Sequence, residues 1–189
     1  MQVICDVDKR IISIHVGCPG SCADSSVFKR MQVYKDPQQH FSPGEYLLAD
    51  SAYGLSKFCI PAFKAPAANS AENTAFNYCL AKSRVRNEHC IGILKGRWAS
   101  LREMRQPIRR AKDMQILVDW VIACCVLHNM LAQIGDTWEE MFREKEKGGV
   151  DDINGCVERA NQDSAVTFRE TLRKTTIETN IARGILYEE

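Results

Sequence analysis

The sequence predicts an α/β layered domain from three of its features. Residues 2–5 and 11–16 are apolar, β-branched runs on either side of the polar cluster Asp6-Val7-Asp8-Lys9-Arg10, which is the pattern of a hairpin. A short apolar run, Tyr46-Leu47-Leu48-Ala49, stops at an acidic residue, Asp50. Two long stretches, residues 69–101 and 111–134, have helical periodicity and contain no proline.

The elements follow in order. Gly17-Cys18-Pro19-Gly20 ends the hairpin, and Ser21 is the expected N-cap of a helix over 24–34 that stops at Asp36-Pro37. Ser42-Pro43-Gly44 is a turn before the strand 46–49, and residues 61–66 read as irregular. The first long helix carries an apolar stripe through Phe76, Leu80, Ile91, Leu94 and Trp98, with Gly92 and Gly96 its only glycines. The second is apolar around most of its circumference, as a core helix lying against a sheet would be. Residues 147–152 read as a linker, and the tail has weak helical periodicity through Val166, Leu172, Ile181 and Leu186. The strands are few for so many helices, since a sheet flanked this way has about five; a strand upstream of residue 2 is the expected missing piece.

Composition narrows the function. A chain of 189 residues, 45% apolar and 26% charged, can bury one sizeable core. Its opening has no apolar signal region, and its longest apolar run, Trp120 to Leu127, is well short of the roughly 18 residues that suggest a membrane span. Nine cysteines lie mostly in apolar periodic segments (Cys5, Cys59, Cys79, Cys124, Cys125), so reduced, buried thiols and a cytosolic or nuclear compartment are expected. Cys18 with Cys22, and Cys124 and Cys125 with His128, lack the paired spacing of a tetrahedral zinc site. Between Lys82 and Lys112, ten basic residues face two acidic ones, whereas from Asp136 onward thirteen acidic residues outnumber eight basic ones. A basic stripe before an acidic tail fits a polyanion-binding surface beside a separate, solvated extension.

Two carboxylates stand out by position. Asp50 lies where a strand ends, the edge at which α/β folds place their sites. Glu88 shares a helix face with Arg84, Ile91 and Lys95 through i, i+4, i+7 and i+11 spacing. Spacing alone leaves open whether Glu88 shares a divalent ion with Asp50 or forms a surface pair with Arg84.

Four blocks in order carry a resemblance: Gly17-Cys18-Pro19-Gly20-Ser21-Cys22-Ala23-Asp24-Ser25-Ser26-Val27-Phe28; Leu47-Leu48-Ala49-Asp50-Ser51-Ala52-Tyr53; the run from Ser83 through Asn87-Glu88-His89 to Trp98; and Val126-Leu127-His128-Asn129-Met130. Together they resemble the Harbinger-type transposases, and the domesticated nucleases derived from them, of the DDE (Asp-Asp-Glu) superfamily. The resemblance implies a ribonuclease-H-like nuclease fold, here N-terminally truncated with its first strand missing and with long C-terminal helices. It places the nuclease domain at residues 1–135, with an acidic, partly helical extension over 136–189. It implies a nuclear, metal-dependent DNA endonuclease using a divalent cation, Mg²⁺ or Mn²⁺, with a separate DNA-binding protein as a possible partner. By position, Asp50 corresponds to the second Asp of the triad and Glu88 to its Glu, as catalytic and metal-binding residues. The first Asp belongs to an Asp-Gly-Thr-type segment that this chain lacks. Asp24 matches an Asp of the first block, whose preceding His is Ala23 here, and is a helix-start residue or a weaker metal candidate. Arg84, Arg86, Lys95 and Arg97 are the expected DNA phosphate contacts. Trp98 is expected to pack rather than stack on a base, and His89 and His128 to be packed, hydrogen-bonded histidines. The rival readings are a non-catalytic DNA-binding remnant and a helical interaction module over 111–186.

Overall fold

The computed structural model describes residues 1–136 and 165–183. The linker expected at 147–152 lies outside them. The chain is mixed α/β and divides into two compact units: residues Met1–Met31 with Val85–Gly149, and Gln32–Arg84 with Val150–Glu189. Each has its own core.

In the first unit, β1 (Gln2–Cys5) and β2 (Ile11–His15) form the expected antiparallel hairpin, with a register shift between Ile4 and Cys5. Asp6 organises the turn: its Oδ1 accepts from the Arg10 N–H at 2.8 Å, and Lys9 takes a positive φ of 64°. The helix expected over 24–34 is two short pieces, α1 (Asp24–Phe28) and, already in the second unit, α2 (Gln32–Lys35). Ser21 does not cap α1. The Cys22 N–H bonds the Pro19 carbonyl, which draws Ser21 into a turn and leaves Ala23 as a cap with no side-chain bond.

Helix α3 (Ala71–Arg97) is the first long helix, shorter at both ends than expected, and α4 (Ala111–Gln133) is the second. Asp113 starts α4, its Oδ2 accepting from the Arg109 and Arg110 N–H groups at 3.0 Å each. The core of the first unit joins Val3 and Ile11 of the hairpin, Cys90 and Leu94 of α3, and Val121, Cys124 and Cys125 of α4. In this part of α3 the buried positions include Cys90, Ile93 and Leu94, while the predicted Ile91 is only half-buried.

Helix α4 departs from expectation in a second way. It buries one stripe, Val121, Cys124, Cys125 and His128, and leaves Ile116, Trp120, Ile122, Val126, Leu127, Met130 and, just past its end, Ile134 exposed. By length and composition it could cross a membrane, with a mean hydropathy of 1.6 over its most apolar window, a test that core helices of soluble proteins also pass. Two polar residues of α4 tie it to the hairpin. Asn129 Oδ1 accepts from the Ile11 N–H and Asn129 Nδ2 donates to the Ile11 carbonyl, both at 2.8 Å, as a neighbouring strand would. His128 Nε2 donates to the Lys9 carbonyl at 2.9 Å.

In the second unit, β3 (Leu47–Ala49) pairs with β4 (Cys59–Pro61) in parallel, Leu47 beside Cys59 and Ala49 beside Pro61. The sequence reads as irregular from residue 61 onward, and Pro61 hides this strand. Its missing N–H costs nothing because the ladder runs from the Leu47 N–H to the Phe58 carbonyl and from the Ala62 N–H to the Ala49 carbonyl. Asn77 of α3 repeats the device of Asn129, accepting from the Phe63 N–H at 2.8 Å and donating to the Phe63 carbonyl at 3.1 Å. Helix α5 (Ala165–Ala182) is integral to this unit rather than a solvated appendage, burying Phe168 and Leu172 against Ile60, Phe63, Phe76 and Leu80. Arg173 pins it to α3 through Glu72 and through Asn73 Oδ1 at 3.0 Å.

Candidate active site

Asp50 is the first residue beyond β3, and its two oxygens have different tasks. Oδ1 accepts from the Ala52 N–H at 2.7 Å, closing a turn that fixes the carboxylate at the strand end. Oδ2 lies 3.6 Å from the Arg84 guanidinium, and both side chains are more than a third exposed. This is a water-accessible ion pair, worth at most about 1 kcal/mol. Close by, burial and then the Asp50 charge push the Cys59 thiol up to about 11.

Glu88 stands on α3 one turn beyond Arg84 and is exposed. It lies away from the buried stripe of the helix formed by Cys90, Ile93 and Leu94. Arg84 makes no local i, i+4 bridge to Glu88; it turns to Asp50. Asp24 is exposed at the start of α1.

The basic residues separate into classes. Lys95 is exposed. Arg86 is half-buried and donates to the Val7 carbonyl at 3.3 Å, bracing the hairpin turn. Arg97 is turned inward: its side chain is 7% exposed and it is ion-paired with Asp136 at 3.0 Å. A phosphate contact through Arg97 would have to break that pair, so it leaves the set of expected DNA contacts. Trp98 is half-buried against the core formed by Cys90 and Leu94, as expected.

His89 and His128 are both buried. Burial lowers the His128 pKa despite the Lys9 carbonyl, and Arg97 adds to the effect. With the Lys9 carbonyl as acceptor, the proton of the neutral ring sits on Nε2. The eight described cysteines are free thiols, five of them buried. Among the described residues no three His, Cys, Asp or Glu side chains group so as to hold a metal ion. Asp50 and Glu88 offer the hard oxygens that Mg²⁺ or Mn²⁺ prefers, so they fit such an ion in kind and fall short in number.

The family described as DDE superfamily endonuclease matches residues 1–129, spanning both carboxylates and the His128-Asn129 pair. The chain belongs to this family. Among curated proteins, this chain is 23% identical over 149 residues to the Protein ALP1-like of Arabidopsis thaliana, covering 72% of this chain and 36% of that protein. It is 23% identical over 137 residues to the Putative nuclease HARBI1 of Mus musculus, covering 72% of this chain and 38% of that protein. The chain thus spans little more than a third of the length of these relatives. No solved structure matches it.

Sequence reasoning singled out both carboxylates by type and position but missed Asn77, Asn129 and Arg173 as structural residues. The only signal for the asparagines is a polar side chain set in an otherwise apolar helical stripe, which does not reveal its backbone partner.

Proposed function

We propose that this chain carries part of the site of a divalent-metal-dependent DNA endonuclease of ribonuclease-H-like architecture, with Asp50 and Glu88 as metal-binding carboxylates. The observation that carries the reading is the ion pair of strand-end Asp50 with Arg84, one turn before Glu88 on a single helix. Membership of a DDE endonuclease family supports it. Divalent ions, when bound, would activate water or a 3′-hydroxyl and stabilise the leaving oxygen of a phosphodiester.

The chain's own residues would do the rest. The Ala52 N–H keeps Asp50 pointed, and Arg84 offsets its charge until a phosphodiester offers a second anionic partner. Arg84, Arg86 and Lys95 would position DNA through its backbone, without reading sequence. Asp24 is the candidate for the third carboxylate among the described residues. A DNA substrate implies a nuclear protein, and a separate DNA-binding protein would supply target choice. The rival reading is a DNA-binding protein without catalysis, and the two differ in whether Asp50 and Glu88 hold a metal ion.

Mn²⁺ titration by calorimetry and nicking of supercoiled plasmid separate the two. Asp50→Asn and Glu88→Gln are each expected to weaken Mn²⁺ binding at least about tenfold, the loss of one charged ligand, and to abolish any nicking the parent chain shows. Mn²⁺ binding unchanged in both variants refutes the metal assignment, and DNA binding retained alongside that result leaves the non-catalytic reading.

A further inference from the structure

The outer face of α4 has a regular composition. Ile116, Trp120, Ala123, Leu127, Met130 and Ile134 are all exposed, and they follow one another at intervals of 4, 3, 4, 3 and 4 residues. That 3.5-residue period is the spacing at which helices interdigitate side chains along a shared seam. No charged residue lies on this seam between Ile116 and Ile134. Beside its C-terminal end, Trp98, Leu127, Met130, Leu131, Gln133 and Ile134 line an almost wholly apolar concavity of about 330 Å³.

The seam is complementary to itself when reversed. About a two-fold axis level with residue 125, Ile116 faces Ile134, Trp120 faces Met130, and small Ala123 faces large Leu127. Trp120 would then lie at the partner's concavity. Its indole Nε1–H donates to Ser100 Oγ at 3.2 Å, so the ring is held before any partner arrives while half its surface stays exposed. An ordered aromatic opposite an apolar hole is what interface hot spots are built from.

We propose that this seam is a homodimer interface, in which two copies of the chain pair their α4 helices antiparallel and each Trp120 enters the concavity beside the other's Met130. The five large seam residues are 46–78% exposed, which gives on the order of 500 Å² of apolar surface per copy, or about 1,000 Å² in all. That reaches the lower bound for a specific interface, so a dimer of micromolar strength is expected. Other occupants fit less well. A membrane-surface helix carries several Lys and Arg beside its apolar face, whereas the charged residues of this one are a single Lys112 with Asp113 and Asp119, a net negative set.

Sedimentation equilibrium of the full chain tests the proposal. At tens of micromolar the expected mass is twice 21.4 kDa. Trp120→Ala weakens association at least about tenfold, while Tyr78→Ser, an exposed aromatic on α3, leaves it unchanged. Ile116→Lys and Ile134→Glu each give monomers. Mixing the two restores a dimer, because only antiparallel pairing sets the introduced lysine of one copy against the introduced glutamate of the other. Restoration also excludes misfolding as the cause of the monomers. A monomeric parent chain, failure of mixing to restore the dimer, or a parent chain that stays monomeric and co-sediments with phosphatidylserine vesicles would each overturn the proposal.

Discussion

Replacing Asn129 by Ala removes one amide side chain and leaves two main-chain groups without their partners. In the native protein the Ile11 N–H and C=O both bond this side chain at 2.8 Å, and Ile11 is 7% exposed. Each buried main-chain group left unpaired costs about 1–3 kcal/mol. Asn129 is itself only half-buried, so water can reach part of the vacated space, which favours the lower half of that range for each group. The expected loss is about 2–4 kcal/mol, a large share of the roughly 5–15 kcal/mol that usually separates folded from unfolded, and a fall in Tm of roughly 4–16 °C. Urea denaturation gives the energy and amide hydrogen exchange gives the place, with protection of the Ile11 N–H dropping more than that of the Phe63 N–H, which Asn77 holds. Asn129→Asp separates hydrogen bonding from packing: it can still accept from the Ile11 N–H but can no longer donate to the Ile11 carbonyl. A loss below about 0.5 kcal/mol in Asn129→Ala, with Ile11 protection intact, refutes the clamp.

Other expectations follow from the same contacts. Burial holds His128 below its ordinary 6.5, so the unfolded chain takes up the proton first. Stability is then complete above pH 6.5 and declines as pH falls toward the lower folded value, by up to about 1.4 kcal/mol per pH unit; denaturation midpoints for His128→Gln should lack that slope. Lys95→Ala is expected to weaken DNA binding and to flatten the log–log salt dependence by about 0.9. Arg97→Met should instead cost roughly 1 kcal/mol of stability, because it breaks a pair whose acidic member is half exposed, and should leave DNA affinity unchanged in a salt titration. Cys59, at about 11, should resist iodoacetamide at mildly alkaline pH while Cys18 and Cys22 react, as read by mass spectrometry of the native protein.

Periodicity reveals what is locally encoded. The hairpin, the strand before Asp50 and both long helices are legible because period-2 and period-3.6 patterns are set by which face is buried. Strand β4 is not legible, because three residues ending in Pro61 show no period and the pairing with β3 is decided by the ladder alone. Helix α5 gives only a weak pattern, since two of its four buried positions are polar, Thr176 and Asn180. The all-round apolar character of α4 reads as a buried helix, yet composition cannot tell a face covered within the chain from one left for another molecule.

At the candidate site the limit is of another kind. The types and positions of Asp50 and Glu88 are visible in the sequence, because a carboxylate at a strand end and one on a helix are local facts. Arg84 shows what is not local. Helical spacing offers it Glu88, four residues away, at a gain of about 0.3–0.5 kcal/mol, but the fold offers it Asp50, thirty-four positions back, at the end of a strand. Asp50 already bonds the Ala52 N–H and is held in place, so pairing with it orders only one flexible side chain, whereas a bridge to Glu88 must order two. With the entropic cost of an ordered long side chain at about 1.5–2 kcal/mol, the fixed partner wins. Glu88 is thereby left exposed to solvent, one turn from a cation that the fold has committed to Asp50.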